Sequence, residues 1–473
     1  HWLCPLYINI DIKVIFSYNK STLKKYLSLS SSIGRQALME LKFIKDKSIL
    51  ERELEITSEI MNFLSIDYNY TRIKRIRSVL ECINDISGSI KLLEKDGVLD
   101  DVSLFEIKSF SLLSEKLRDL LKVLDIPELK LPDLDKAIEI LDPEKMKLYQ
   151  FYIYSSYSEE LREKRRLWEE AKAKEESEEK ILSIYVECLE IEEEIRKDLS
   201  SKLKVFIPDF ILSLKIISKL DITLGKAQYF IDNKFSKPEI SDSEFSFKAL
   251  FYPLLEEILR SQDQEFQKID FSLDNKPVLI TGANMSGKTI ILKSLSLSQF
   301  LFQFGFFIPC ESSQLCIVED ILISIDDQQN EKKGLSSFAW EILNLNTFLQ
   351  KAKQGKKYLI LIDELARTTN PIEGVAIVDT YLEMISNTNS FSITTTHYSG
   401  IKTRCRRLRV KGIRKDIIKE EIEIKNIQNL IDYSLIEDNS DQAPNDALNI
   451  AEIIGVDKDF IYKARNYILN KEE

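Results

Sequence analysis

The sequence predicts a multidomain chain: an all-α region with a long charged helical arm, followed by an α/β domain built on a phosphate-binding loop. Three observations carry this prediction. Gly282 to Thr289 reads GANMSGKT, which fits G-x-x-x-x-G-K-[ST] between an apolar strand and an apolar helix. Upstream, from Leu23 to about Leu220, apolar residues recur mostly at the three- and four-residue steps of a helix. The thirteen glycines and eleven prolines are few for 473 residues, and the glycines gather around and after the loop.

In chain order, residues up to about Phe16 alternate, with Ile8, Ile10, Ile12 and Val14 opposite Asn9, Asp11 and Lys13, the period of a half-buried strand. Residues 1–22 are read as that strand segment, truncated because His1-Trp2-Leu3 offers neither an initiator Met nor a basic leader. Residues 23–233 are read as the helical domain. In it Ile73, Ile76, Val79, Leu80, Ile83 and Ile86 form a core-facing stripe, and Pro127, Pro132 and Pro143 mark a connecting region. Tyr157 to Lys204 reads as a long charged helix whose Ile181, Ile184, Cys188, Ile191, Ile195 and Leu199 suggest a coiled-coil-like hairpin or arm. Lys234 to Phe245 is polar, contains Pro238 and reads as a linker into the nucleotide domain, residues 234–436. The last segment, 437–473, has helical spacing at Ile450, Ile453, Ile454, Phe460, Ile461 and Ala464 and is assigned to docking or dimerisation.

Composition narrows the class. Hydrophobic residues are 44% and charged residues 30%, ordinary values for a soluble helix-rich protein. The net charge of −11 argues against a generally basic nucleic-acid coat. Within the arm, fifteen acids face eleven bases, and Lys164-Arg165-Arg166 is its only run of three bases. A basic stretch does occur at Lys402, Arg404, Arg406, Arg407, Arg409, Lys411, Arg414 and Lys415. It reads either as a face for an anionic partner or as an alternating strand with a solvated side. Cys4, Cys82, Cys188, Cys310, Cys316 and Cys405 include no C-x-x-C pair, so reduced packed thiols in the cytoplasm are expected. The most apolar central run, Val205 to Ile222, is interrupted by Pro208, Asp209 and Lys215, so no membrane span is expected.

The loop carries the chemistry. Its residues Gly282, Ala283, Asn284, Met285, Ser286, Gly287, Lys288 and Thr289 are candidates for ATP binding. The glycines let backbone N–H groups turn toward an anion, Lys288 brings a point charge to the β- and γ-phosphates, and Thr289 offers a hydroxyl to Mg²⁺. Tyr358 to Glu364 is an apolar strand ending in two carboxylates. Asp363 suits the Mg²⁺ shell and Glu364 the polarisation of an attacking water. Phe391 to His397 is a third strand pattern, and its terminal His397 is a candidate for a γ-phosphate contact. Between these strands Gln329 is placed near metal or water, and Ser336 and Ser337 as donors at a helix N-terminus.

The order GANMSGKT, GFFIPC (305–310), GLSSFAWE (334–341), LILIDEL (359–365), NPIEG (370–374) and TTTHY (394–398) resembles the ATPase domain of the MutS family. Those are ABC-type ATPases best known from DNA mismatch repair. Leu220-Asp221 and Pro253-Leu254-Leu255 resemble the junction to that domain, with Tyr252 where a His-Pro pair is usual. Leu448 to Ala464 resembles its closing helices, and the helical core matches more loosely. The resemblance implies a homodimer with composite sites. Lys288, Thr289, Asp363, Glu364 and His397 of one subunit would hold ATP and Mg²⁺, and Ser336 and Ser337 of the other would close over the γ-phosphate. The helical core and arm would be levers. Three departures stand out. No Phe is followed by Glu at the second position, as mismatch readers require, and the chain before the core is too short for that reader. Leu365-Ala366-Arg367-Thr368-Thr369 lacks the glycines usual at 366 and 368. The arm is acidic. A MutS-like ATPase acting on DNA structures without reading mismatches is therefore expected. The LARTTNP segment also resembles the ATPase that reactivates a cobalamin-dependent lysine aminomutase, which makes a protein client the alternative. A non-hydrolysing nucleotide-gated scaffold is disfavoured by the presence of Lys288 and Glu364.

Overall fold

A computed structural model describes residues 27–282, 286–325, 337–367, 369–413, 431–438, 448, 451–452 and 455–469. The N-terminal strand expected before Phe16 lies outside them. The chain divides into two units. One is helical and comprises residues 20–41 and 56–229; the other is α/β and comprises 42–55 and 230–473, besides the first nineteen residues. No helix among the described residues is long and apolar enough to cross a membrane.

The helical unit is formed from α1 (Ser32–Glu40), the end of α2 (Lys47–Leu64), α3 (Tyr70–Cys82), α4 (Ser87–Glu94), α5 (Asp101–Leu121), α6 (Asp135–Leu141), α7 (Glu159–Ala173), α8 (Glu178–Leu203) and most of α9 (Ile207–Asn233). Its stripe residues Ile73, Ile76, Val79, Leu80, Ile83 and Ile86 all lie in one core with Leu104, Phe110, Leu117 and Phe210. Helix starts follow local chemistry. The Asp100 carboxylate accepts from the Ser103 N–H at 2.8 Å, and Ser31 Oγ accepts from the Gly34 N–H at 2.9 Å. Asp221 on α9 accepts from the Ser30 and Ser31 N–H groups and from Ser31 Oγ, fixing the start of α1. A Cβ at Gly34 would stand 2.3 Å from Asp221 Oδ2, so this approach requires glycine.

The charged segment read as one long helix is two. Helix α7 ends with Glu175 in the left-handed region at φ 49°, its N–H bonded to Lys172 O and the Glu176 N–H to Ala171 O. That is a Schellman stop, here without glycine. Trp168 stacks on Tyr185 at 5.3 Å, and Lys164 and Arg165 pair with Glu187 and Glu192, joining the two helices. Arg166 is held by Glu163 and Glu170. The arm's three consecutive bases are thus all neutralised from within it.

In the α/β unit, a six-stranded sheet has the order β10 (Ile431–Glu437), β9 (Arg406–Ile413), β4 (Val278–Thr281), β8 (Phe391–Thr396), β7 (Leu359–Ile362), β6 (Ile321–Ser324). All neighbours are parallel except β10 on β9. Strand β7 is buried throughout, as a central parallel strand with helices on its faces must be. Helices α10 (Pro253–Arg260), α11 (Lys288–Gln303), α12 (Ser337–Ala352) and α13 (Pro371–Ser386) accompany the strands, and α14 (Lys458–Leu469) follows them. A second sheet runs β1 (Glu239–Ser241), β5 (Ser312–Cys316), β2 (Phe245–Leu250), β3 (Ile269–Leu273). The segment read as a polar linker therefore contributes an edge strand, β1, whose pairing with β5 satisfies backbone that polar side chains leave unburied. Residues 42–55 join this unit because buried Gln303 donates to Ile44 O at 2.9 Å while the Ile44 N–H donates back to Gln303 O at 2.7 Å.

Among its described residues the helical unit holds a fully buried ion pair. Lys108 Nζ donates to Asp142 Oδ1 at 3.0 Å, to Tyr154 Oη at 3.0 Å and to Gln150 O at 3.1 Å. Asp142→Ala leaves that ammonium buried without a counter-charge. It is expected to cost about 3–5 kcal/mol, read as a lowered midpoint in urea with unchanged slope.

Candidate nucleotide-binding site

Three adjacent parallel strands, β4, β8 and β7, deliver their carboxyl ends to one place. The register sets Thr281 beside Thr396 and Thr394 beside Ile362, so the next residues on each strand emerge together. They are the loop opening at Gly282, His397, and the pair Asp363-Glu364. Open α/β sheets bind ligands at this edge.

Gly287 takes φ 82° at the N-cap of α11, a conformation natural only to glycine, and Lys288 opens the helix. Lys288 is 5% exposed; its Nζ donates to Gly282 O at 2.8 Å and stands 3.9 Å from Glu364. Burial pulls its ammonium below the ordinary lysine value, and the Glu364 and Asp363 carboxylates oppose that pull. Ser286 Oγ is buried with no hydrogen-bond partner among the described residues, a donor inside the loop. Thr289 Oγ1 donates to Asp363 Oδ2 at 2.5 Å, and Thr395 Oγ1 donates to Asp363 Oδ1 at 2.6 Å. Thr395 Oγ1 in turn accepts from the Glu364 N–H at 2.8 Å. Asp363 and Glu364 are therefore both oriented from β8. Glu364 also faces Arg367 Nη1 at 3.1 Å.

Glu364 and Ala366 take left-handed backbone, φ 48° and 63°. For non-glycine residues this costs about 1–2 kcal/mol each, and such strain gathers at functional sites. Ala366 thus adopts a conformation suited to the glycine expected there. His397 is exposed, with its ring 4.3 Å from that of Tyr398. Ala283, Asn284, Met285, Gln329 and Ser336 lie outside the described residues, and Ser337 is the first residue of α12.

Sequence reading missed a cavity of about 500 Å³ beside the loop, lined by Leu259, Phe266, Gly287, Ile290, Ile291 and Tyr433 among others. Tyr433 comes from β10, and a Cβ on Gly287 would meet its ring at 2.9 Å. Gly287 therefore serves the loop's backbone and the aromatic wall together. The wall is braced by Gln267, whose amide nitrogen donates to Asp432 at 2.8 Å and Ser434 at 3.0 Å, and whose oxygen accepts from the Tyr433 N–H. No spacing rule links Gln267 to Tyr433; only the pairing of β10 does.

Within β9 three bases of the basic stretch pair with acids, while Lys402 and Arg404 precede the strand and are exposed, and Arg414 and Lys415 lie outside the described residues. Arg406 pairs with Glu437, Arg409 with Asp438 and Lys411 with Asp432.

A strand, a glycine-turned loop and a helix at the centre of a parallel sheet, facing an acidic strand end, define a P-loop nucleotide-binding domain. Residues 278–471 match MutS domain V. Over that segment the chain is similar to the ATPase domain of the MutS family. It is 30% identical over 280 residues to "Endonuclease MutS2" of Caldanaerobacter subterraneus subsp. tengcongensis, covering 58% of this chain and 33% of that one. It is 32% identical over 213 residues to "Putative endonuclease MutS2" of Bacillus subtilis, covering 44% and 26%. The chain thus spans about a third or less of the length of these curated relatives.

Gly287→Ala places a side chain at φ 82° and into Tyr433. It is expected to weaken nucleotide binding by about tenfold or more, from the left-handed penalty alone, in titrations with a fluorescent ATP analogue.

Proposed function

We propose that this chain is a cytoplasmic, Mg²⁺-dependent ATPase switch that works as a homodimer and acts on DNA structures without itself reading mispaired bases. The observation that carries the ATPase reading is the Thr289–Asp363–Thr395 link with Lys288 and Glu364 beside it. Its donors suit Mg²⁺, which is held through one or two carboxylates, hydroxyls and the substrate's own phosphates. Thr289 Oγ1 and Asp363 would hold that ion, which when bound neutralises charge on the β- and γ-phosphates.

The chain's own residues supply the rest. Loop N–H groups, Ser286 Oγ and Lys288 hold the phosphates, and the cavity lined by Phe266 and Tyr433 receives the base. Glu364 takes a proton from water as the water oxygen attacks the γ-phosphorus and the bond to the bridging oxygen breaks, leaving ADP and phosphate. His397, at the open end of β8, contacts the departing γ-phosphate. Ser336 and Ser337 of a second subunit close the site, so ATP joins the two copies and hydrolysis releases them. Phe460, Tyr462 and Tyr467 are exposed on α14, apolar surface suited to the same dimer.

Support for DNA comes from the relatives named as MutS2 endonucleases. Arg406, Arg409 and Lys411 of β9 and Lys164 and Arg165 of α7 are engaged by acids, which reduces their availability to a duplex. No feature of the site favours an aminomutase client over DNA.

Duplex or branched DNA is expected to stimulate steady-state ATP hydrolysis, with the stimulation falling steeply between low and moderate salt. No DNA response, together with ATP-dependent reactivation of an aminomutase, would reverse the assignment of partner. Glu364→Gln is expected to bind ATP normally while steady-state turnover drops by about a hundredfold or more. Near-normal turnover in that variant removes Glu364 from the base role.

A further inference from the structure

The peptide groups around Ala366 are gripped from two sides by side chains that the site as described leaves idle. Ala366 is fully buried and left-handed at φ 63°. Its N–H donates to Glu341 Oε1 at 2.6 Å, and its carbonyl accepts from Tyr398 Oη at 2.6 Å. Glu341 belongs to α12, four residues after Ser337. Tyr398 follows His397 and is 7% exposed. Its ring reaches Ala366 only because residue 374 is glycine, since a Cβ there would lie 2.4 Å from Tyr398 Cζ. Two residues before Ala366, Glu364 is also left-handed. A turn with two such residues persists only where its surroundings over-determine it, and these two bonds do so.

We propose that Glu341 and Tyr398 are positioning residues for Glu364, and that Glu341 makes the pose of α12 set whether Glu364 stands in line for hydrolysis. The inference rests on the ATPase reading of the same site. The first residue of α12 is Ser337, assigned to the second nucleotide, so a shift of that helix pulls directly on the turn that holds the base. Neither residue touches nucleotide. Both act through the Ala366 backbone, and a displacement of about 1 Å at a reacting group costs about a hundredfold in rate.

The test uses the whole chain with Glu341→Ala, Glu341→Gln and Tyr398→Phe, beside wild type and Glu364→Gln. Glu341→Ala is expected to lower kcat about thirtyfold and Tyr398→Phe about tenfold, with the affinity for a fluorescent ATP analogue within about twofold. Glu341→Gln keeps an acceptor oxygen for the Ala366 N–H and is expected to recover most of the rate. Amide exchange of the peptide spanning 363–367 without nucleotide is expected to quicken in Glu341→Ala and return to wild-type protection in Glu341→Gln. Unchanged kcat in Glu341→Ala and Tyr398→Phe overturns the proposal, as does loss of affinity and thermal stability in step with kcat. Unchanged exchange overturns it even where no turnover is measurable. A wild type that hydrolyses no faster than Glu364→Gln instead overturns the ATPase reading.

Discussion

The Asp363 carboxylate is the interaction on which the site is organised. One oxygen accepts from Thr289 at the start of α11 and the other from Thr395 on β8. Three elements that meet only through the sheet's order are thereby fixed to a single group. Thr395 then passes the constraint on, because its Oγ1 also accepts the Glu364 N–H. A neutral isostere at 363 would keep one acceptor, but it would present donor hydrogens to at least one of two hydroxyls that now both donate. The proposed metal position and the orientation of the proposed base would consequently not be independent, since Asp363 and Glu364 share the Thr395 hydroxyl.

Charge is governed here by pairing rather than by count. Local runs of bases in β9 and α7 look like anion-binding surfaces in the sequence, yet each meets acids set opposite it by strand pairing or by the helix pair. These partly exposed bridges add little stability individually. Their effect is to remove net positive potential from two faces. Lys288 differs because it is buried, and its nearest carboxylate, Glu364, lies 3.9 Å away rather than in bonded contact. It is placed to exchange its contact with Gly282 O for a stronger anionic partner.

The phosphate loop, the acidic strand end and the strand ending at His397 were legible because each is a contiguous segment with a local rule. The NPIEG motif is legible in physical terms only after folding. Asn370 caps α13 through the Ile372 N–H, Pro371 occupies the first helical position, and Gly374 clears the space that Tyr398 fills. The Gln267–Tyr433 brace was not legible, since β10 comes late in the chain and its pairing with β9 places it. The segment reads as a hairpin or arm, but the stop between α7 and α8 could not be placed, because a glutamate occupies the left-handed position where a glycine would have announced it. Ala366 misled in the opposite direction. Its missing glycine suggests an altered turn, whereas hydrogen bonds from Glu341 and Tyr398 hold an alanine in the glycine conformation.

Among the described residues around the phosphate position the ionised side chains are Lys288 and Arg367 against Asp363 and Glu364, a locally balanced set in a chain of net charge −11. A polyanionic triphosphate gains little from such a set by long-range attraction alone. It must be recognised at close range, by loop N–H groups, the positive end of α11 and Lys288. Its remaining charge is best met by a cation arriving with it, at the one carboxylate that already points to Thr289. On the proposed ATPase reading, nucleotide and Mg²⁺ would therefore enter as a unit. On that reading Asp363 would face the ion, and Glu364, held by its left-handed turn, would be left to accept a proton.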